Sequence, residues 1–184
     1  MSEERASDRY LTHGAPLEVL SALWPDGADL DPFHDPARSG QLGRRVFDLR
    51  AGEDAYALDW GGAGDRVWVN GPYSGANPQR TAARCALFAL RGVEILNLCP
   101  AAPGAVYWKR YVWPAADAIA WCGRLAFEPA VDMLANDGRI VAKAGEVKGG
   151  NRTEIALAYF GPEGARFKSI CEVLAGWPTQ VLSR

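Results

Sequence analysis

The chain has 184 residues, of which 48% are hydrophobic and 23% are charged, and it carries a formal net charge of −2. This length suits one domain with a full core, because domains run to roughly 100–200 residues. The charge balance lacks the basic excess that often marks nucleic-acid binders, so contact with a polyanion would need a local patch. No apolar stretch approaches the roughly 20 residues that span a bilayer, and residues 1–10 lack the apolar core of a secretory signal. We expect no membrane segment and a flexible arm over residues 1–12.

The metal-binding residue types are few and scattered. Four cysteines form no CxxC pair, which predicts buried free thiols in a reducing cytoplasm; they are Cys85, Cys99, Cys122 and Cys171. His13 and His34 are the only histidines, which disfavours a zinc site. The acidic stretch at residues 29–40 fails as a calcium loop, because positions six and twelve hold His34 and Gly40 instead of Gly and Glu. We therefore predict no metal.

Hydrophobic periodicity predicts the elements along the chain. Helices are predicted over residues 16–24, 77–90, 105–113 and 163–174, the second with Asn77 as its N-cap. Strands are predicted over residues 28–30, 45–49, 66–69, 93–99, 118–122, 124–127 and 154–160. Residues 128–153 form an irregular insert. This alternation predicts a single α/β domain with a mostly parallel sheet and an antiparallel edge hairpin formed across the insert.

Two stretches with useful chemistry follow predicted strands, where open α/β sheets bind ligands. Asp31-Pro32-Phe33 follows the first strand, so that Asp31 would pair with a ligand ammonium or hydroxyl group while Phe33 packs beside it. Asn70-Gly71-Pro72-Tyr73 follows the third strand. Asp48 ends the second strand, where ribose-binding carboxylates are found in nucleotide folds. Acidic turns in solvated loops and an ordinary strand-ending turn are the alternatives.

The order of these stretches resembles the small phage-encoded DNA adenine-N6 methyltransferases. Asp31-Pro32-Phe33 resembles the S-adenosylmethionine loop of DNA methyltransferases, and residues 70–74 (NGPYS) resemble the NPPYS catalytic signature. Leu98-Cys99-Pro100 and residues 123–127 (GRLAF) match later motifs, so the resemblance runs from about residue 16 to residue 160. The chain departs from the family at Gly71, where the family has Pro, and it lacks a tidy Gly-x-Gly in the cofactor loop.

The resemblance implies a single Rossmann-like methyltransferase domain over residues 1–184, of phage or prophage origin and acting in the cytoplasm of a bacterial host. It implies an S-adenosylmethionine pocket lined by Pro16, Asp31, Pro32, Phe33, Asp48 and Asp54. The catalytic group would be Asn70, Gly71, Pro72 and Tyr73. Asn70 Oδ1 and the Gly71 carbonyl would accept the two N–H groups of a flipped adenine, and Tyr73 would stack on the base.

Double-stranded DNA is the partner that this family implies. The candidate DNA contacts are Ser74, Arg124, Arg139, Lys143, Lys148 and Arg152, the last four in the insert, for which a solvated hairpin is the alternative. Glycine at position 71 keeps the carbonyl and loses the stiffness of proline, which predicts a modest rate defect. Two other functions stay open: a methyltransferase acting on RNA or a protein amide, and a catalytically impaired member of the fold that binds DNA or a partner.

Overall fold

A computed structural model describes residues 10–36, 40–48, 52–134, 139–147 and 153–183. Eleven strands are described, namely β1 (Tyr10–Leu11), β2 (Ala28–Asp31), β3 (Gly43–Val46), β4 (Arg66–Val69), β5 (Glu94–Pro100), β6 (Ala118–Gly123), β7 (Glu128–Pro129), β8 (Met133–Leu134), β9 (Ile140–Ala142), β10 (Ile155–Phe160) and β11 (Thr179–Val181). The helices are α1 (Ala15–Leu23), α2 (Asn77–Ala89), a π-helical segment (Trp108–Val112) that continues into α3 (Trp113–Ala115), and α4 (Gly164–Ala175).

Seven of these strands form one mixed sheet in the order β3-β2-β4-β5-β10-β6-β11. The pairs among β3, β2, β4 and β5 are parallel, whereas β10 runs antiparallel to both β5 and β6, and β11 runs antiparallel to β6. Consequently β2, β3, β4, β5 and β6 all end at the same edge of the sheet, which we call the site edge. The protein is an α/β domain with helices on both faces.

Each face of the sheet buries its own apolar cluster, because side chains alternate along a strand. On the first, the α2 face, Cys85 and Phe88 of α2 and Trp108 of the π-helical segment pack onto the strands. On the second, the α1–α4 face, Leu20 of α1 and Phe167 of α4 do the same. Strand β5 alternates between the two, with Ile95 and Cys99 on the α2 face and Leu96 and Leu98 on the other. Both faces are covered, as expected for parallel strands.

The predicted antiparallel edge hairpin is wrong in its position, because the antiparallel strand after the insert lies inside the sheet. Strand β10 pairs with both β6 and β5, and the additional strand β11 covers the outer side of β6. Residues 124–127 form no strand. The cap of α2 is Ala76 and Asn77 is its first helical residue, without a side-chain capping bond. The predicted helix over 105–113 is in part π-helical.

Residues 10–12 of the predicted flexible arm are part of the folded domain. Residues 1–9 lie outside the described residues, but Tyr10–Leu11 form β1, which pairs antiparallel with β7 at the base of the insert. Thr12, which follows, is only 4% exposed. The insert itself carries the small β8–β9 hairpin. The N-terminal strand therefore joins the insert to the body of the domain.

Candidate functional site

The site lies where the order of the strands reverses. From β2 the chain continues to β3 on one side, while β4 pairs with β2 on the other side. In open α/β sheets, ligands bind at such a switch point, outside the carboxyl ends of the strands. Asp31 is the last residue of β2, and Asn70 directly follows β4. The structure thus brings the two stretches singled out in the sequence to neighbouring strand ends.

Asp31 and Phe33 form a corner at the end of β2, in which the carboxylate is buried and the ring is partly buried against the α2 face. Asp31 is only 4% exposed, and its Oδ1 accepts the Phe33 backbone N–H at 3.1 Å. The Phe33 ring lies 5.3 Å from the Tyr56 ring and 6.1 Å from the Trp60 ring, measured between centroids. The Arg80 guanidinium lies over the Tyr56 ring, with its Cζ 3.8 Å from the ring centroid. A carboxylate beside aromatic surfaces suits a ligand with one polar and one planar end.

Gly71 packs directly against this corner. An added Cβ at residue 71 would lie 2.7 Å from Thr81 Oγ1 and 3.2 Å from Thr81 Cγ2, both closer than ordinary contacts, and 3.4 Å from Phe33 Cε2. Thr81 is itself held in place, because its hydroxyl lies 3.1 Å from the Tyr56 hydroxyl. The backbone of Gly71 does not have a positive φ. Glycine is therefore required here by the close approach of α2, a reason that the sequence did not reveal.

Asn70 is oriented from two sides. Its Nδ2 donates to Thr12 Oγ1 at 2.9 Å. Its Oδ1 accepts from the Tyr73 hydroxyl at 3.2 Å, a donor that also lies 3.2 Å from the Leu98 carbonyl oxygen. Burial raises the pKa of Tyr73, so the hydroxyl stays protonated and able to donate. An amide oxygen has two lone pairs, which leaves Asn70 Oδ1 able to accept a further hydrogen bond.

Tyr73 lies on the opposite face from Phe33. Its partly buried ring packs on the α1–α4 cluster and meets the ring of Phe127 edge-on, with centroids 6.4 Å apart. Pro72 is partly buried between Gly71 and Tyr73. Gly71 and Tyr73, two positions apart, thus contact opposite faces of the sheet.

The remaining predicted cofactor residues differ in burial and in their contacts. Pro16 is buried in the first turn of α1, the helix that packs on the α1–α4 face, whereas Phe33 packs on the α2 face. Asp48 is exposed two residues beyond β3, and its backbone N–H donates to Glu53 Oε2 at 2.7 Å. Asp54 is exposed and its Oδ1 accepts the Tyr56 N–H at 2.8 Å, so it shapes the turn that presents Tyr56. Pro32 is buried between Asp31 and Phe33.

The predicted DNA contacts are distributed around the site edge and the insert. Arg124 is exposed immediately after β6, and Ser74 is partly exposed immediately after the tetrapeptide. Arg139 and Lys143 are exposed on either side of β9. Lys148 and Arg152 lie outside the described residues.

Three site residues escaped the sequence analysis. Thr12 contacts Asn70 across 58 positions, and Thr81 contacts Tyr56 across 25. Neither separation follows a local period, so only the folded chain brings these residues together. Tyr56 lies two residues beyond Asp54, the only member of this stretch that the sequence predicted to line the cofactor pocket. Its signal was the clustering of aromatic residues before the third predicted strand.

The thiols and the metal-binding residue types do not add a nucleophile or a metal site to the described residues. All four cysteines are buried and free, as predicted, and burial raises the pKa of Cys99 to about 12. These thiols are protonated at neutral pH and are poor nucleophiles. Among the described residues, no group of three or more His, Cys, Asp or Glu side chains is arranged to hold a metal ion. In that same part of the chain, no helix combines the length and apolar character of a membrane span.

Comparison of the sequence with protein-family models and curated proteins, and of the fold with solved structures, gives no match.

Proposed function

We propose that this protein is an S-adenosylmethionine-dependent methyltransferase. The observation that carries the proposal is the meeting of a buried carboxylate–aromatic corner with an oriented Asn70 at the switch point of the sheet. The corner suits a cofactor with an ammonium group and an adenine ring. Asn70 is suited to accept hydrogen bonds from an amino group. More particularly, we propose a DNA adenine-N6 methyltransferase, because residues 70–74 resemble the signature of that family.

The residues at the end of β2 fit the cofactor chemically. Asp31 would accept hydrogen bonds from a ligand ammonium or hydroxyl, and the rings of Phe33 and Tyr56 would pack on its planar part. The Gly71 backbone packs directly against Thr81 and Phe33, so a side chain at residue 71 would crowd this corner. When bound, S-adenosylmethionine supplies a methyl group on a positively charged sulfur.

Asn70 prepares the amino group that receives the methyl. The lone pair of an adenine N6 is delocalised into the ring, so the nitrogen must become pyramidal before it reacts. Acceptors fixed in advance at the two N–H groups favour that geometry without reorganisation in the transition state. Asn70 Oδ1 and the Gly71 carbonyl are those acceptors. Thr12 holds the Asn70 amide with its oxygen facing away from Thr12.

The target base must leave the duplex to reach these acceptors. The partly exposed ring of Tyr73 lies three residues beyond Asn70 and would stack on the flipped base. Arg124 at the site edge and the basic side chains of the insert would contact the phosphate backbone. Strand β1, which leads into Thr12, pairs with β7, so the base of the insert is joined to Asn70 through only a few residues.

Single-turnover transfer of labelled methyl groups to duplex DNA tests this function. We expect incorporation into DNA by the wild type, a loss of at least 100-fold in rate for Asn70→Ala because one fixed acceptor disappears, and little change for the matched control Asn77→Ala. Cofactor affinity, measured by calorimetry with the demethylated product, should stay unchanged in both variants. Parallel reactions with RNA and with protein distinguish the other acceptors. Cofactor binding without transfer to any of them would identify an impaired enzyme, and full activity in Asn70→Ala would refute the role of the tetrapeptide.

A further inference from the structure

The segment after β5 begins at the site edge and is firmly attached there. Strand β5 ends at Pro100, whose carbonyl oxygen accepts two hydrogen bonds. The Tyr107 hydroxyl donates at 3.2 Å and Trp108 Nε1 donates at 3.0 Å. The π-helical segment that starts at Trp108 is therefore fixed close to the carboxyl end of β5. Such π-helical turns are rare and are frequently found at functional sites.

One side of this segment is buried and the other presents basic and aromatic groups. Trp108 and Val112 are buried in the α2 face. Lys109 and Arg110 are exposed, whereas Tyr111 and Trp113 are partly exposed and pack with one side against the α2-face cluster. We call these four residues the basic aromatic surface. The Arg110 guanidinium lies over the Tyr111 ring, with its Cζ 5.4 Å from the centroid, so a positive charge and an aromatic ring lie side by side.

Among the described residues, the two cations of this surface form no ion pair with an acidic side chain. Lys109 and Arg110 are the only charged residues between positions 95 and 116 of the sequence. The ion pairs of the described structure involve other cations, namely Arg44, Arg66, Arg91, Arg166 and Lys168. Trp108 also stacks on Trp121 of β6 at 5.6 Å, and Arg124 is exposed just beyond the end of that strand. A polyanion with planar groups is the complementary ligand.

We propose that the basic aromatic surface binds DNA beside the flipped base, with Lys109 and Arg110 on backbone phosphates and Tyr111 or Trp113 against an exposed base or sugar. This inference rests on the proposed function and adds a contact outside both the tetrapeptide and the insert. Phosphate contacts supply most of the affinity and position the duplex, and aromatic rings accept unstacked bases of any sequence. The basic aromatic surface lies near the carboxyl end of β5, the strand next to the one that Asn70 follows. This position suits contact with the DNA that flanks the target base.

Binding of a labelled duplex, followed by fluorescence anisotropy over a series of salt concentrations, tests the surface. The test variant is Lys109→Ala/Arg110→Ala. The control Arg91→Ala/Arg166→Ala removes the same charge from exposed arginines at the opposite edge of the sheet, where β5 begins and β10 ends. We expect the test variant to lose affinity and its log–log salt slope to shrink by about 0.9 per lost phosphate contact, or roughly 1.8 in all. The control should keep the wild-type slope.

The outcomes separate this inference from the proposed function. Unchanged affinity and slope in the test variant, with a wild type that binds and methylates DNA, would overturn the surface alone. A wild type that binds the cofactor product but no duplex would overturn both. A test variant that loses RNA binding while DNA binding is unchanged would also overturn the assignment to DNA. Lys109→Arg/Arg110→Lys keeps both charges and should retain the slope, and equal melting temperatures of all variants would confirm that only binding has changed.

Discussion

The contact of Gly71 with α2 predicts that residues 71 and 81 are energetically coupled. Gly71→Ala places one carbon 2.7 Å from Thr81 Oγ1 and 3.2 Å from Thr81 Cγ2, whereas carbon contacts normally lie at about 3.5–4 Å. Thr81 must then rotate or the loop must move. Rotation breaks the 3.1 Å hydrogen bond between the Thr81 and Tyr56 hydroxyls, so the added methyl also disturbs the aromatic corner beside Phe33.

The structure gives the expected size of each effect. Overpacking of this kind costs about 1–3 kcal/mol of the free energy of unfolding. Thr81→Ala alone loses one hydrogen bond, about 0.5–1.5 kcal/mol, and one buried methyl, about 0.8 kcal/mol. In Gly71→Ala/Thr81→Ala both close atoms are gone and the nearest remaining one is Phe33 Cε2 at 3.4 Å. The double variant should therefore be about as stable as Thr81→Ala, which corresponds to a coupling of roughly 1–3 kcal/mol.

Urea unfolding of the four proteins measures this coupling directly. Gly62→Ala serves as the control, because an added Cβ there meets no atom within 4 Å and the backbone has no positive φ; its cost should stay within about 0.5 kcal/mol. Costs of Gly71→Ala and Thr81→Ala that simply add, within about 0.5 kcal/mol, would refute the packing argument. The same clash applies to proline at residue 71. Proline is consequently expected to impair this chain unless Thr81→Ala accompanies it.

Three further predictions concern other buried groups. Thr12→Val removes the acceptor for Asn70 Nδ2, so kcat should fall with KM little changed while Thr12→Ser keeps wild-type turnover; equal kcat for all three proteins would contradict a positioning role. Asn97 is fully buried without a partner for either amide atom, so Asn97→Val should raise the free energy of unfolding in urea by about 1–3 kcal/mol, and a decrease would contradict it. Burial raises the pKa of Cys99 from its usual 9.0 to about 12. The contribution of the protonated thiol to the free energy of unfolding is therefore complete below pH 9 and is lost as pH rises toward 12. Urea unfolding at pH 8 and pH 10.5 should show a smaller loss for Cys99→Ala than for the wild type, and an equal loss would refute the assignment.

The sequence predicted the elements whose signals are local. Residues 66–69 form β4 as predicted, and helix α2 differs from its predicted range by one residue at its end. These segments carry complete apolar periods and clear breakers. Strand β11 was not predicted, because Thr179–Val181 is short and gains its place by pairing with β6, some sixty positions earlier. The strand predicted over 124–127 is absent because these residues leave the sheet to enter the insert.

The candidate site follows the same division between local and distant information. The strand ends at Asp31 and Asn70 were predicted because each follows an apolar run and carries a recognisable motif. The packing reason for glycine at residue 71 could not be predicted, because it lies in Thr81, a helix residue with no distinguishing neighbours. Pro16 was included through the resemblance alone, and the fold places it on the other face from Phe33.

The tetrapeptide contacts both faces of the sheet, which would let one short loop serve the two proposed ligands. Beyond the end of β4, Gly71 touches Phe33 and Thr81 on the α2 face, while Tyr73 packs on the α1–α4 face beside Phe127. A cofactor held at Phe33 and a base stacked on Tyr73 would approach from opposite faces and meet only at Asn70 and the Gly71 carbonyl. A side chain at residue 71 would intrude on the cofactor side, whereas a change at Asn70 would act on the acceptor side. The proposed reaction thus requires that residue 71 be small and that Asn70 be held from outside the loop, and Thr12 supplies that restraint.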